Sequence, residues 1–287
     1  ESKLPPIHAI KILEQHLDQS RRLFTYLVHF LIEICRYSET YSRQRASKHL
    51  VTAEDLNVNI KLAGNALVWQ ILENKQFEQS KERFHIENSL DADLLKKMFL
   101  KLLESPEYKL YIEIPSREKK DEKKILEFIF NELLLIDDHF ISHIEEEFLN
   151  WDDDAEMMQL MMLNFLSKPN TYQFQDLISQ EKLDFGKNLV LTAIDKKDYC
   201  MELIKPKLKN WDAERIALLD MIIMRMGTCE FLYFETIPAK VTINEYIDLA
   251  KDYSTPQSGQ FVNGILDNIH KELSLTDKLR KVDYKKH

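Results

Sequence analysis

The residues of this chain best suited to chemistry lie around one phenylalanine. Residues 256–260 read PQSGQ, so the amides of Gln257 and Gln260 flank the Ser258 hydroxyl, Phe261 follows directly, and Lys251 lies upstream. Amides and hydroxyls of this kind suit base edges and phosphate oxygens, and an ammonium group suits phosphate. That is equipment for recognition; bond-making finds no comparable set. The chain has no glycine-rich phosphate loop, no H-E-x-x-H and no G-x-S-x-G. His139 and His143 stand at i, i+4, but acids crowd them and no third ligand is apparent, so a surface pair is expected rather than zinc. Asp152, Asp153 and Asp154 lack the glycine and alternating spacing of a calcium loop and read as acids at a helix N-terminus. No catalytic residue, metal or cofactor is assigned.

The elements that must position these residues read as helices. Five glycines and eight prolines in 287 residues leave little turn chemistry for a sheet, so the fold class is all-α. Within 211–273 three apolar faces recur at helical spacing. They are Ile216, Leu219, Ile222, Ile223 and Met226; then Ile243, Tyr246, Ile247 and Ala250; then Phe261, Val262, Ile265, Leu266 and Ile269. Three such faces can close into a bundle. Thr242 and Glu245 form T-x-x-E, the pattern of a capping box, with Pro238 just upstream. Asn244 and Asn263 read as structural polar residues, Gly264 as a point of close helix approach, and Arg225 with Glu230 as a structural pair.

The same segment carries a family resemblance. A Trp before a helix with acid, Arg and Glu, then Pro, then V-x-I-N-E-x-x-x-L-A-K, then F-V-N-G-x-L-D, is matched by Trp211, Asp220, Arg225, Glu230, Pro238, Val241, Ile243, Asn244, Glu245, Leu249, Ala250, Lys251 and 261–267. This resembles the C-terminal half of the NusB family of transcription antitermination factors. The resemblance implies a NusB-like helical bundle that binds boxA RNA jointly with NusE, a small-subunit ribosomal protein, within an RNA polymerase antitermination complex reading ribosomal transcripts. It places Phe261 beside the RNA, as a stacking platform or as a core residue at a helix start. Gln257, Ser258, Gln260 and Lys251 would complete that patch, although the family often carries acids and lysine in this loop. Asp220 would face the protein partner, or else be a solvated helix charge. The Arg-rich first helix that the family uses for RNA has no counterpart here; the expectation is that it was trimmed, the alternative that Arg21, Arg22 and the basic stretch 36–49 replace it. A helical scaffold that has lost RNA binding is the rival reading. An RNA methyltransferase is a weaker one, since NusB-like domains also occur fused to such enzymes but no G-x-G loop follows a strand here.

Bulk properties fit a folded protein. Hydrophobic residues make up 44% and charged residues 30%, and a chain of this length can bury roughly three-quarters of its unfolded surface. Cys35, Cys200 and Cys229 are scattered, with no C-x-x-C, which suits free buried thiols in a reducing cytoplasm. No apolar run approaches a membrane span. Glu1 is not Met, so a leader could precede it. The net charge of −9 is uneven: residues 205–287 carry 13 Lys/Arg against 12 Asp/Glu, and residues 1–204 carry 26 against 36. The acidic part therefore lies outside the strongest family match.

Upstream, Ile10, Leu13, Leu17, Leu23, Leu27, Phe30, Leu31 and Ile34 predict a helix pair or one long helix. Thr52 and Asp55 should cap a helix to about Glu73. Leu94, Leu95, Met98, Phe99, Leu102 and Leu103 mark another, ended by Ser105 and Pro106. Residues 116–124 read as a charged loop passing into a helix. A shift of 60 residues places Asn150-Trp151-Asp152 on Asn210-Trp211-Asp212, Ile144 on Ile204, Phe148 on Leu208 and Met161 on Met221, as in a duplicated helical unit. The expected organisation is a helical extension over 1–175 like the long form of Bacteroidetes-type members, a NusB-like core over 176–273 and a basic tail over 274–287.

Overall fold

The computed structural model describes residues 5–174, 177–208 and 216–282. Among these there is no strand, and fourteen α-helices with a few short helical turns of other pitch account for most of them. The chain forms two compact units, one of residues 14–177 and one of residues 1–13 with 178–287. No helix of the described residues is long and apolar enough to cross a membrane.

The 14–177 unit is built on α1 (Pro6–Ala46), one unbroken helix. No glycine or proline interrupts it after its first residue, and every residue from Leu23 to Ile32 is buried. A helix apolar on all sides belongs at the centre of a fold rather than on its surface. Phe24, Phe77, Phe165, Tyr172 and Phe174 pack with ring centroids 5.1 to 5.9 Å apart. Two buried polar pairs join the unit's elements, Thr25 with Ser80 at 2.8 Å and Tyr26 with His143 at 2.7 Å. Around α1 come α2 (Ala53–Leu56), α3 (Ala66–Leu72), α4 (Lys75–Phe84), α5 (Ala92–Glu104), α6 (Pro106–Glu113), α7 (Lys119–Phe128), α8 (Asp138–Glu147) and α9 (Trp151–Ser167).

Two expectations for this unit need correction. The basic stretch 36–49 lies largely inside α1, and its cations are neutralised locally: Arg36 by Glu33, Arg43 by Glu39, Arg45 and Lys48 by Asp55. Thr52 and Asp55 do form a capping box, but α2 stops at Leu56. The asparagines that follow compete for backbone hydrogen bonds, and the chain restarts when Asn65 accepts from Leu67 N at 2.9 Å to cap α3. The charged run 116–124 passes from loop into helix at Lys119, as expected, and its Glu122 is fully buried. Glu122 accepts from Ala66 N at 2.7 Å and from the Tyr111 hydroxyl at 2.8 Å, supplying an anion to the start of α3. Helix α5 also ends where expected, and Ser105 then caps α6 with Pro106 in its first turn.

The second unit holds α10 (Gln180–Asp195), α11 (Lys197–Ile204), α12 (Leu218–Tyr233), α13 (Ala239–Tyr253) and α14 (Ser258–Leu275). Its core joins Ile204, Met224, Phe231, Tyr246, Val262 and Leu266. Gly227 allows a close approach of helices, since a Cβ there would lie 3.0 Å from Leu266 Cδ2 and 3.2 Å from Tyr246 Cδ2. Cys200 and Cys229 are fully buried with sulfurs 3.4 Å apart. The faces expected for α13 and α14 are the ones turned inward. That of α12 is rotated: Leu219 is exposed while Asp220, Met224, Gly227 and Phe231 are buried, because a helix apolar nearly all round gives periodicity nothing to phase on.

The capping box at Thr242 and Glu245 is not formed. The helix begins earlier, at Ala239, so Thr242 lies inside it, buried, and donates to Glu230 Oε1 at 2.6 Å. The Tyr246 hydroxyl donates to the other Glu230 oxygen at 3.1 Å, so Glu230 ties α12 to α13 and does not pair with Arg225. Glu245, Asn244 and Asn263 are exposed. Gly264 is exposed too, and a Cβ there would meet nothing within 4 Å, so no close approach requires it. Lys281 of the basic tail turns inward and donates to the Glu230 and Phe234 carbonyls at 2.8 Å each. Those carbonyls lie at the C-terminal end of α12, where a helix runs out of donors of its own, and burial holds the Lys281 ammonium below its usual range. The second N-W-D, Asn210 to Asp212, lies outside the described residues, as do Lys285 and Lys286; the duplicated unit stays an expectation.

Candidate nucleic-acid interface

The turn between α13 and α14 is made by its own hydroxyls. Ser258 N donates to the Thr255 carbonyl at 2.9 Å, and Thr255 N donates back to Ser258 Oγ at 3.2 Å. Such reciprocal bonds three residues apart close a turn without glycine. Ser258 is 2% exposed, and its hydroxyl donates to Asp220 Oδ2 at 2.8 Å. Asp220, in the first turn of α12, is 5% exposed, and among the described residues its buried Oδ1 has no hydrogen-bond partner. Two residues assigned by sequence to different surfaces therefore touch, and the acid points into the fold rather than outward.

Around that anchor the other candidates converge. Gln257 and Gln260 are exposed on either side of the start of α14, whose first turn no side chain caps. Its amide end carries partial positive charge. Lys251 is exposed at the end of α13, with Nζ 2.7 Å from Asp248 Oδ1. A Cβ on Gly259 would lie 2.9 Å from Lys251 Cγ, so the lysine stem lies against the first turn of α14 and needs glycine beneath it. Phe261 is half-buried against the core of the unit. All six candidates, Asp220, Lys251, Gln257, Ser258, Gln260 and Phe261, thus belong to one corner of the bundle. Sequence reasoning missed Thr255, although its spacing of three from Ser258 is a readable turn signal, and it missed the use of Gly259.

Elsewhere, His139 is exposed and His143 is engaged by Tyr26. Among the described residues no group of three or more His, Cys, Asp or Glu is placed to hold a metal ion.

Comparison with known proteins places this corner inside a matched region. A profile of the NusB family matches residues 150–271, a span that begins upstream of residue 176. The transcription antitermination protein NusB of Finegoldia magna is 42% identical over 94 residues, 33% of this chain and 69% of that protein. That of Salinibacter ruber is 41% identical over 98 residues, covering 34% and 61%. That of Bacillus licheniformis is 37% identical over 106 residues, covering 37% and 82%. A solved structure of T. maritima NusB is 31% identical, covers 37% of this chain and 77% of its own, and superposes with a TM-score of 0.33.

Proposed function

The chain belongs to the NusB family, and from that membership we propose that it is a transcription antitermination factor holding single-stranded boxA-type RNA together with NusE in the cytoplasm. The observation that carries this reading is the convergence of Lys251, Gln257, Gln260 and Phe261 at the start of α14. Each supplies a different part of single-strand recognition. The Phe261 ring, half on the core, is a firm platform for one base, and stacking of that kind contributes about 1–3 kcal/mol. The two amides reach base edges or phosphates. Lys251 exchanges its exposed partner Asp248 for a phosphate, a cheap exchange because exposed pairs contribute little. No step makes or breaks a covalent bond, so the protein acts as a binding factor and not as an enzyme.

With Asp220 turned inward, we place the NusE surface on its neighbours Leu218 and Leu219, which are exposed in the same turn of α12. Two modest surfaces gain by acting on linked ligands, because the second contact becomes intramolecular. The test is fluorescence anisotropy with a labelled boxA RNA, with and without NusE. Phe261→Ala is expected to weaken RNA binding at least tenfold, the order of one lost stacking contact, while far-ultraviolet circular dichroism is unchanged. Equal affinity in both proteins would overturn the RNA assignment. Failure of the unsubstituted chain to bind boxA RNA at low salt would favour a helical scaffold.

A further inference from the structure

We infer that Asp220 is the positioning residue of this interface: its carboxylate sets the start of α14 through Ser258 and so places the amides and the aromatic ring that meet RNA. The inference rests on the RNA reading above. A serine hydroxyl carries one proton, and the carboxylate at 2.8 Å is the strongest acceptor within its reach. With the proton committed to Asp220, the Ser258 oxygen accepts from Thr255 N at 3.2 Å. The Thr255 hydroxyl lies 2.9 Å and the Ser254 hydroxyl 3.0 Å from the same oxygen. One buried charge therefore orients a bond network running through 254, 255 and 258. The residues it orders are those between Lys251 and Gln260, and Gln257 lies inside the loop so closed.

Asp220 holds Ser258 through one oxygen, and that oxygen fixes the loop. Its charge also lies at the amide end of α14, through Ser258, where a helix favours an anion.

The experiment compares Asp220→Ala, Asp220→Asn, Ser258→Ala and Ser258→Thr in the full chain, read by anisotropy with boxA RNA, by thermal melting and by amide hydrogen exchange over 254–261. Asp220→Ala and Ser258→Ala should each lower RNA affinity about tenfold, as for loss of one charge-assisted hydrogen bond that orients a loop. Exchange at 255 and 258–261 should rise while melting shifts little. Ser258→Thr keeps the donor and should restore both readouts, while Asp220→Asn keeps an acceptor without the charge and should restore them in part. The double alanine variant should be no worse than either single one, because both remove the same bond. Equal exchange in Asp220→Ala and the unsubstituted chain would overturn the inference. So would a lower melting temperature with RNA affinity intact, or loss of NusE binding alone. The exchange readout needs no RNA: if the unsubstituted chain fails to bind boxA RNA, the function proposed above fails, and exchange alone still decides the positioning role.

Discussion

Glu122 in the 14–177 unit and Asp220 in the other are both buried carboxylates serving a helix start, and their oxygens are used differently. Both oxygens of Glu122 are occupied, one by the first amide of α3 and one by the Tyr111 hydroxyl. Asp220 accepts through one oxygen, and the other, also buried, has no partner among the described residues. Each unit asks something different of a buried charge. Where the acid only holds helices together, each of its oxygens has a donor, as expected where an unmatched group is costly. Where the acid adjoins a surface loop, its bonded oxygen fixes a serine of that loop. Among neutral groups of the 14–177 unit, Thr25 pairs with Ser80 and Tyr26 with His143, while the buried side-chain oxygen of Gln76 has no partner among the described residues.

The most severe challenge to this contrast is to remove each acid. Glu122→Ala leaves a buried amide and a buried hydroxyl without an acceptor, each worth about 1–3 kcal/mol. The expected loss of stability is therefore about 3 kcal/mol, read from the denaturant midpoint. Asp220→Ala leaves only the Ser258 hydroxyl without its acceptor and should cost about 1 kcal/mol. A reversed ranking would end the distinction between the two carboxylates.

A second large effect is expected with acid and belongs to the 14–177 unit. Burial, aided by the charge of Lys81, pushes His29 from 6.5 down to about 4, against the opposing pull of Glu87. The unfolded chain then binds a proton below pH 6.5 that the folded one refuses, so stability falls as pH drops from 6.5 to 4. The loss is about 2 kcal/mol by pH 5 and about 3 kcal/mol by pH 4, since each tenfold difference in proton affinity between the two states corresponds to about 1.4 kcal/mol. His29→Gln, which does not titrate, should flatten that limb of a stability-against-pH curve. An unchanged curve would mean that other groups carry the acid sensitivity.

Glycines test the second unit at intermediate size. Gly227→Val drives methyls into Leu266 and Tyr246 and should cost about 1–3 kcal/mol, as overpacking does. Gly264→Ala adds a methyl where nothing lies within 4 Å, inside a helix, and should raise stability by about 0.5–1 kcal/mol. Opposite signs in melting curves are expected, because only the first glycine marks a helix contact.

How much of this could be read beforehand depends on what each residue had to choose between. The faces of α13 and α14 were legible because polar residues interrupt them at fixed phase. The face of α12 was not, since Met221, Ile222, Ile223, Met224 and Met226 leave no polar side to set the phase. Thr52 and Asp55 announced a real capping box, and Thr242 with Glu245 announced a false one; the two have similar local spacing and differ only in whether the chain upstream is already helical. Glu122 was hidden in a charge run because its partners, Ala66 and Tyr111, lie 56 and 11 residues away. In the interface, the residue types were readable from the loop and the family pattern, but not which way Asp220 faced. A lone acid near a helix start gives no sign of a serine 38 positions downstream.

A slighter effect probes the loop that Asp220 holds. Gln260 is exposed in the first turn of α14, in a loop where the family often carries lysine. Gln260→Lys places a cation near the path proposed for the RNA backbone. One added phosphate contact on a single strand should steepen the slope of log affinity against log salt by about 0.7. At low salt binding should tighten by a few-fold, and the gain should fade as ionic strength rises. Some of it is offset, since a cation at the amide end of a helix costs about 0.3–1 kcal/mol, so a slightly lower melting temperature should accompany the tighter binding. The two readouts separate because RNA screens the added charge only when bound. A steeper slope with the small stability loss places residue 260 against phosphate. The same stability loss with an unaltered slope would instead turn this side of the loop toward base edges, where an amide serves better than an ammonium group.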